Sequence, residues 1–99
     1  MPQIDNLSQQ SVMGWGNRGW VEIIEMILEI CESGALKTHI MYKCNLNSKQ
    51  IALYVQFLEN NKLLESHIDF PYSKRPIYRT TERGKKYIDA YKQLESIFK

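Results

Sequence analysis

The segment between residues 63 and 80 constrains the fold most, because it can form neither one continuous helix nor one continuous strand. Two short stretches rich in β-forming residues, 63–68 and 77–80, flank a loop that contains Pro71 and Pro76. Proline has no amide hydrogen to donate to a sheet ladder, so neither stretch can continue through this loop. The pattern predicts two short strands joined into a hairpin.

Helical periodicity dominates the sequence before this hairpin. A first helix is predicted from Trp20, and Gly34 ends it with a backbone conformation that glycine adopts easily. A short second helix covers Lys37 to Lys43, and a third begins at Ser48, the predicted N-cap, and ends near Asn60. The apolar residues of the first helix recur on one stripe, and Glu22, Glu25, Glu29 and Glu32 are expected on the solvated opposite face. The members of that stripe are Trp20, Ile23, Ile24, Ile27, Leu28 and Cys31.

After the hairpin, Thr81 is the predicted N-cap of a last helix that continues to the end of the chain. Three helices, a hairpin and a long helix form a mainly α (α+β) arrangement, the winged helix-turn-helix. It has a three-helix core, a β-hairpin wing and a long C-terminal helix. We divide the chain into a flexible N-terminal arm (1–18), a DNA-binding domain (19–81) and a dimerisation helix (82–99).

Charge is distributed unevenly along the chain. Residues 1–36 contain one basic and five acidic residues, a net charge of −4, whereas residues 37–99 contain twelve basic and six acidic residues, a net charge of +6. The second part therefore has the excess of positive charge that a polyanion-binding surface needs. No apolar run is long enough to cross a bilayer, and two cysteines with two histidines form no recognisable metal motif. We expect a cytoplasmic protein without a cofactor.

Three segments are candidates for contact with DNA. The start of the second helix would hold phosphate through Lys37 and Thr38. The third helix would enter the major groove, where Gln, Lys and Leu can contact base edges or a thymine methyl group. The hairpin would contact the backbone or the minor groove through its basic residues. The candidates on the third helix are Ser48, Lys49, Gln50, Leu53 and Gln56, and those on the hairpin are Lys74, Arg75 and Arg79.

The last helix carries an apolar seam that is heptad-like in spacing. Its residues either pack inside the chain or contact a second copy, and the two uses are compatible along one helix. We expect a homodimer, since two-fold symmetry is common and suits DNA half-sites. The predicted interface residues are Tyr87, Tyr91, Leu94, Ile97 and Phe98.

Three further stretches together resemble the archaeal winged-helix transcriptional regulators, over about residues 18–98. The first stretch comprises residues Glu22 to Ile24 together with Gly34 to Leu46. The second comprises Gln50, Ile51, Tyr54, Val55, Phe57 and Leu58. The third comprises Tyr78 to Gly84 together with Tyr91 and Leu94. The family includes small chromatin-associated proteins that dimerise through an antiparallel C-terminal coiled coil. The resemblance implies binding of double-stranded DNA, dimerisation through residues after Gly84, and no catalytic centre.

The sequence thus predicts a DNA-binding homodimer that acts as a transcriptional regulator or organises DNA in the nucleoid, and not an enzyme. The alternative is a winged helix that binds proteins within a larger transcription or replication assembly. Two observations favour that alternative: the third helix carries little positive charge, and the aromatic residues Phe57 and Tyr72 contact proteins readily if they are exposed.

Overall fold

The computed structural model describes residues 19–72 and 74–98, which form four α-helices and a three-stranded sheet. In chain order the elements are α1 (Trp20–Ile30), a 3₁₀ turn (Cys31–Ser33), β1 (Ala35–Leu36), α2 (Lys37–Lys43), α3 (Ser48–Asn60), β2 (Leu64–Ile68), β3 (Pro76–Thr80) and α4 (Glu82–Ile97). This order confirms the predicted winged helix-turn-helix. The predicted arm, residues 1–18, lies outside the described residues.

The sheet is antiparallel and its strand order is β1-β3-β2. β2 and β3 pair from Leu64 opposite Thr80 to Ile68 opposite Pro76, and this pair of strands is the wing. β1 pairs with the other edge of β3, where Leu36 lies opposite Ile77. Because α2 begins at the next residue, the pairing of β1 fixes the start of α2 beside the wing.

The core lies where α1, α2 and α3 meet the inner face of the sheet. The apolar stripe of the first helix is buried there except for the half-buried Trp20. Ile51, Tyr54, Val55 and Leu58 of α3 are buried in the same core. The first turns of α4 join the same core through Ile88. A hydrogen bond ties the sheet to α1, since the buried hydroxyl of Thr80 donates to the Leu28 carbonyl oxygen at 2.6 Å.

Three details of the sequence prediction were wrong, and the condition attached to Phe57 is not met. Ser48 is not the N-cap of α3, because Asn47 takes that position and its side chain accepts a hydrogen bond from the backbone amide of Gln50. β1 was not predicted, because a two-residue strand has no periodicity of its own. Pro76 belongs to β3 after all, since the first residue of a strand can do without a ladder donor. Phe57 is buried in the core, which removes one of the two aromatic residues that favoured a protein-binding role.

The expected solvated face of α1 also needs correction at one position. Glu25 is only 7% exposed, whereas Glu22, Glu29 and Glu32 are exposed. The reason is tertiary, because α4 crosses α1 on this side and covers Glu25. Among the described helices, none combines the length and apolarity that a membrane span requires.

Candidate nucleic-acid interface

The N-terminus of α3 is held by a reciprocal pair of hydrogen bonds. The backbone amide of Gln50 donates to Asn47 Oδ1 at 2.8 Å, and the backbone amide of Asn47 donates to Gln50 Oε1 at 2.8 Å. Asn45 precedes this cap with a φ of 56°, which closes the tight turn between α2 and α3. The cap uses one lone pair of the Gln50 side-chain oxygen, so the second lone pair and the NH₂ group of this predicted base reader are left for a base edge.

The outer face of α3 carries the predicted recognition residues. Ser48, Lys49 and Gln56 are exposed, and Gln50 and Leu53 are half-buried. Ala52 is also exposed on this helix, one turn after Lys49 and one turn before Gln56. The sequence prediction missed it, although i, i+3 and i, i+4 spacing could have indicated a residue next to both. A small methyl group there suits contact with a thymine methyl.

Two of the three predicted DNA-contacting segments meet in a groove of about 200 Å³ between α2 and the loop end of the wing strands. The groove is lined by Leu36, Lys37, Thr38, Arg75, Pro76 and Tyr78. The cause is the β1–β3 pairing, because Leu36 opposite Ile77 brings the first turn of α2 beside Pro76. Lys37, Thr38 and Arg75 therefore share one surface although they are far apart in sequence.

Lys74 and Arg75 are both exposed at the wing, and Arg79 is exposed further along β3. Arg79 lies opposite Glu65 on β2. Its guanidinium lies close to the turn at Gly34, since a Cβ added to Gly34 would come within 3.0 Å of Nη2. Arg79 is thus near the body of the domain, about 13 Å along the chain from Arg75 at 3.3 Å per residue.

The predicted dimer seam divides into two parts. Tyr87 packs within the chain, where its hydroxyl donates to the Val21 carbonyl oxygen at 2.9 Å, and burial raises its pKa above the ordinary value. Tyr91 is half-buried, and burial followed by the nearby Glu22 raises its pKa too. The last three seam residues, Leu94, Ile97 and Phe98, are exposed, with Phe98 80% accessible.

A carboxylate pair on α1 lies beside Lys92 of α4. Burial raises the pKa of Glu25 to about 7, and the hydrogen bond and negative charge of Glu29 add to the effect. The same hydrogen bond lowers the pKa of Glu29, whose Oε2 lies 3.6 Å from Lys92 Nζ. Below about pH 7, Glu25 thus keeps a proton that it donates to an ionised Glu29 on the same helix. The ion pair of Glu29 with Lys92 is the contact between α1 and α4.

The remaining reactive residue types form no second site in the described part of the chain. Cys31 and Cys44 are buried thiols outside any disulfide. Burial, with a smaller contribution from Cys44, raises the pKa of Cys31 to about 12, so this thiol stays protonated. Within residues 19–72 and 74–98, no group of three or more His, Cys, Asp or Glu is arranged to hold a metal ion.

Comparison with known proteins gives the same fold. A family model described as winged helix-turn-helix matches residues 17–99, and no curated protein matches significantly. The crystal structure of Sso10a-2, a DNA-binding protein from Sulfolobus solfataricus, has a TM-score of 0.71 and 28% identity, with 81% of each chain covered.

Two bacterial structures are similar at lower identity. A PadR family transcription regulator from Clostridium difficile has a TM-score of 0.69 and 20% identity, covering 81% of this chain and 91% of the other. The MepR–DNA complex from S. aureus has a TM-score of 0.66 and 15% identity, covering 95% and 73%. At these identities the likeness concerns the fold alone.

Proposed function

The chain belongs to the winged helix-turn-helix family, and from this premise we propose that it binds duplex DNA as a homodimer and acts as a transcriptional regulator or a DNA-organising protein. The Sulfolobus DNA-binding protein among the similar structures agrees with the archaeal resemblance of the sequence. DNA as the partner implies a cytoplasmic, nucleoid-associated protein. We assign it no catalytic activity and no cofactor.

One observation carries the proposal: the groove between α2 and the wing gathers Lys37, Thr38 and Arg75. Two cations and a hydroxyl on one surface are the groups that usually contact phosphate oxygens. The α3 face from Ser48 to Gln56 would then read the major groove, with Lys49 as its cation. Lys74 and Arg79 would contact the flanking backbone.

Dimerisation is proposed through the exposed end of α4. Leu94, Ile97 and Phe98 leave an apolar surface there, and contact with a second copy would remove it from water. A two-fold dimer would present two α3 helices to successive turns of one duplex face, as helix-turn-helix dimers do.

The test is a fluorescence-anisotropy titration of labelled duplex DNA at several salt concentrations. Six phosphate contacts per dimer predict a slope of about −5 in a plot of log K against log salt. Lys49→Ala and the double variant Lys74→Ala/Arg75→Ala should weaken binding and flatten the slope. Lys85→Ala is the matched control, because it removes one exposed charge that pairs with Glu82 on α4. Unchanged affinity in both test variants would show that the DNA-binding surfaces are assigned wrongly.

A protein-binding winged helix is the second candidate function, and the exposure of Tyr72 favours it. It predicts no DNA binding even at low salt, together with a stable protein complex that survives high salt. DNA binding with a steep salt dependence would reject it, because protein contacts at an aromatic side chain depend little on counterion release.

A further inference from the structure

Large apolar side chains are concentrated at the outer end of the wing. Ile68 is 51% exposed, Phe70 is 73% exposed and Tyr72 is 88% exposed, all within five residues of the chain. Exposed apolar clusters of this kind usually mark a binding site. The sequence prediction took only the basic residues of the wing as DNA contacts, so Ile68 and Phe70 were missed.

The cluster lies at and beyond the loop end of the wing strands. In β2 only Leu64 is buried, and the next four residues are exposed. At about 3.3 Å per residue, Ile68 therefore lies about 13 Å along the strand from Leu64. Ile68 opposite Pro76 is the last pair of the ladder, and Phe70 and Tyr72 lie beyond it. A narrow protrusion with apolar side chains at its end can enter a groove that the domain itself cannot.

The charges around the cluster favour a polyanionic partner. Lys74 and Arg75 follow the aromatic residues and are exposed, while Asp69 precedes them. Arg75 also lines the groove with Lys37 and Thr38, so the apolar cluster continues the proposed phosphate-binding surface. An apolar end beside cations is the combination found in proteins that enter the DNA minor groove and insert a side chain between base pairs.

We propose that Phe70 and Tyr72 form an apolar wedge that enters the minor groove of duplex DNA and partly unstacks one base step, while Lys74 and Arg75 hold the flanking phosphates. This inference rests on the proposed function and adds a mode of binding to it. A wedge of this kind bends the duplex, and pyrimidine–purine steps are bent at the lowest cost. Binding is therefore expected to favour duplexes that contain TA or CA steps.

The experiment uses the full chain and a duplex that carries 2-aminopurine at a TA step, with donor and acceptor dyes at its ends. Unstacking raises 2-aminopurine fluorescence, and bending raises energy transfer. The wild type should show both signals. The variant Phe70→Ala/Tyr72→Ala should lose both and bind about tenfold more weakly, with the salt slope unchanged. Lys74→Ala removes one contact from each protomer of the proposed dimer, so it should instead reduce the magnitude of the slope by about two.

Tyr42→Ala is the matched control, since Tyr42 is as exposed as Tyr72 but lies on α2, and it should keep the unstacking signal. The melting temperature should be unchanged in every variant, because the substituted side chains are exposed. If Phe70→Ala/Tyr72→Ala binds and bends DNA as the wild type does, the wedge is rejected and the proposed function stands. If the wild type binds no DNA at low salt, both are rejected. If the double variant loses only a protein partner, the wing end is a protein interface instead.

Discussion

At the scale of single residues, Gly84 is a point where the backbones of two elements approach closely. This glycine lies in the first turn of α4, and its amide donates to Thr81 Oγ1 at 3.0 Å. A Cβ added there would come within 2.5 Å of the Leu63 carbonyl oxygen and 2.6 Å of Thr80 Cγ2. The absence of a side chain is therefore what lets α4 dock against the turn after α3.

We expect Gly84→Ala to lower the free energy of unfolding by about 1–3 kcal/mol, because the backbone of Leu63 must move to admit a methyl group. This loss of stability is opposite to the usual effect, since Gly→Ala in a helix ordinarily stabilises the fold by about 1 kcal/mol. Urea unfolding followed by circular dichroism measures the change. Gly19→Ala is the control, because no atom lies within 4 Å of its added Cβ. A Gly84→Ala variant as stable as the wild type would contradict this account.

Residue-scale prediction from sequence succeeded where a local pattern decides and failed where two local patterns compete. Thr81 was predicted as a cap and confirmed, because it is the one good cap next to the acidic residue that starts α4. The prediction of Ser48 as the N-cap was wrong, since Asn47 caps equally well. Asn47 also has Gln50 three residues later, which completes the reciprocal hydrogen bonds of a capping box. That Asn-x-x-Gln spacing was the signal available in the sequence.

At the scale of elements, periodicity predicted the four helices of residues 19–72 and 74–98, but it could not predict the contacts between elements. Glu25 belongs to the polar stripe of α1, and nothing local indicates that α4 will cover it. β1 is defined only by its partner β3. The groove that gathers Lys37, Thr38 and Arg75 depends on that pairing, so the sequence supplied its residues but not their proximity.

The α1–α4 contact should make stability depend on pH. The pKa of Glu25 rises from an ordinary 4.5 to about 7 on folding. The folded chain therefore holds a proton that the unfolded chain releases, and the free energy of unfolding falls as the pH rises from about 4.5 to about 7. Glu29 acts in the opposite sense below that range, since its pKa is lowered.

Glu25→Gln should remove the fall in the free energy of unfolding between pH 4.5 and 7. A side-chain amide can still donate to Glu29 but has no titrating proton to release. At pH 7.5 the variant should be more stable than the wild type by on the order of 1 kcal/mol. Urea unfolding between pH 4.5 and 7.5 measures this. Glu32→Gln makes the same change at an exposed position and should keep the wild-type pH profile. If Glu25→Gln keeps that profile as well, Glu25 does not cause the pH dependence.

At the scale of the whole molecule, the exposed end of α4 determines the proposed assembly. Leu94→Lys/Phe98→Lys should convert the dimer to a monomer in sedimentation equilibrium, because two charges would have to be buried at the interface. Both side chains are exposed in the single chain, so folding should be unaffected. DNA affinity should fall, and the salt slope should drop to about −2.7 for three phosphate contacts. Gln93→Lys is the control for added charge on the same helix, and a double variant that stays dimeric would exclude this interface.

The whole-molecule prediction from sequence was confirmed for the fold, since the order of helices and hairpin admits few other arrangements. The dimer stays a prediction, because an interface depends on a second chain whose position no local pattern contains. Tyr87 illustrates the difficulty. Its spacing places it on the same seam as Leu94, yet it bonds Val21 inside its own chain.

The two residues of β1 have a mechanical consequence for recognition. β1 pairs with β3 of the wing and continues without a linker into α2, so the pairing ties the start of α2 to the wing. In the proposed complex, a duplex that displaced the wing would also displace the first residues of α2, because β1 connects the two. Substitutions in the wing and at the start of α2 should therefore show energetic coupling when they are combined, because loss of one contact misaligns the other.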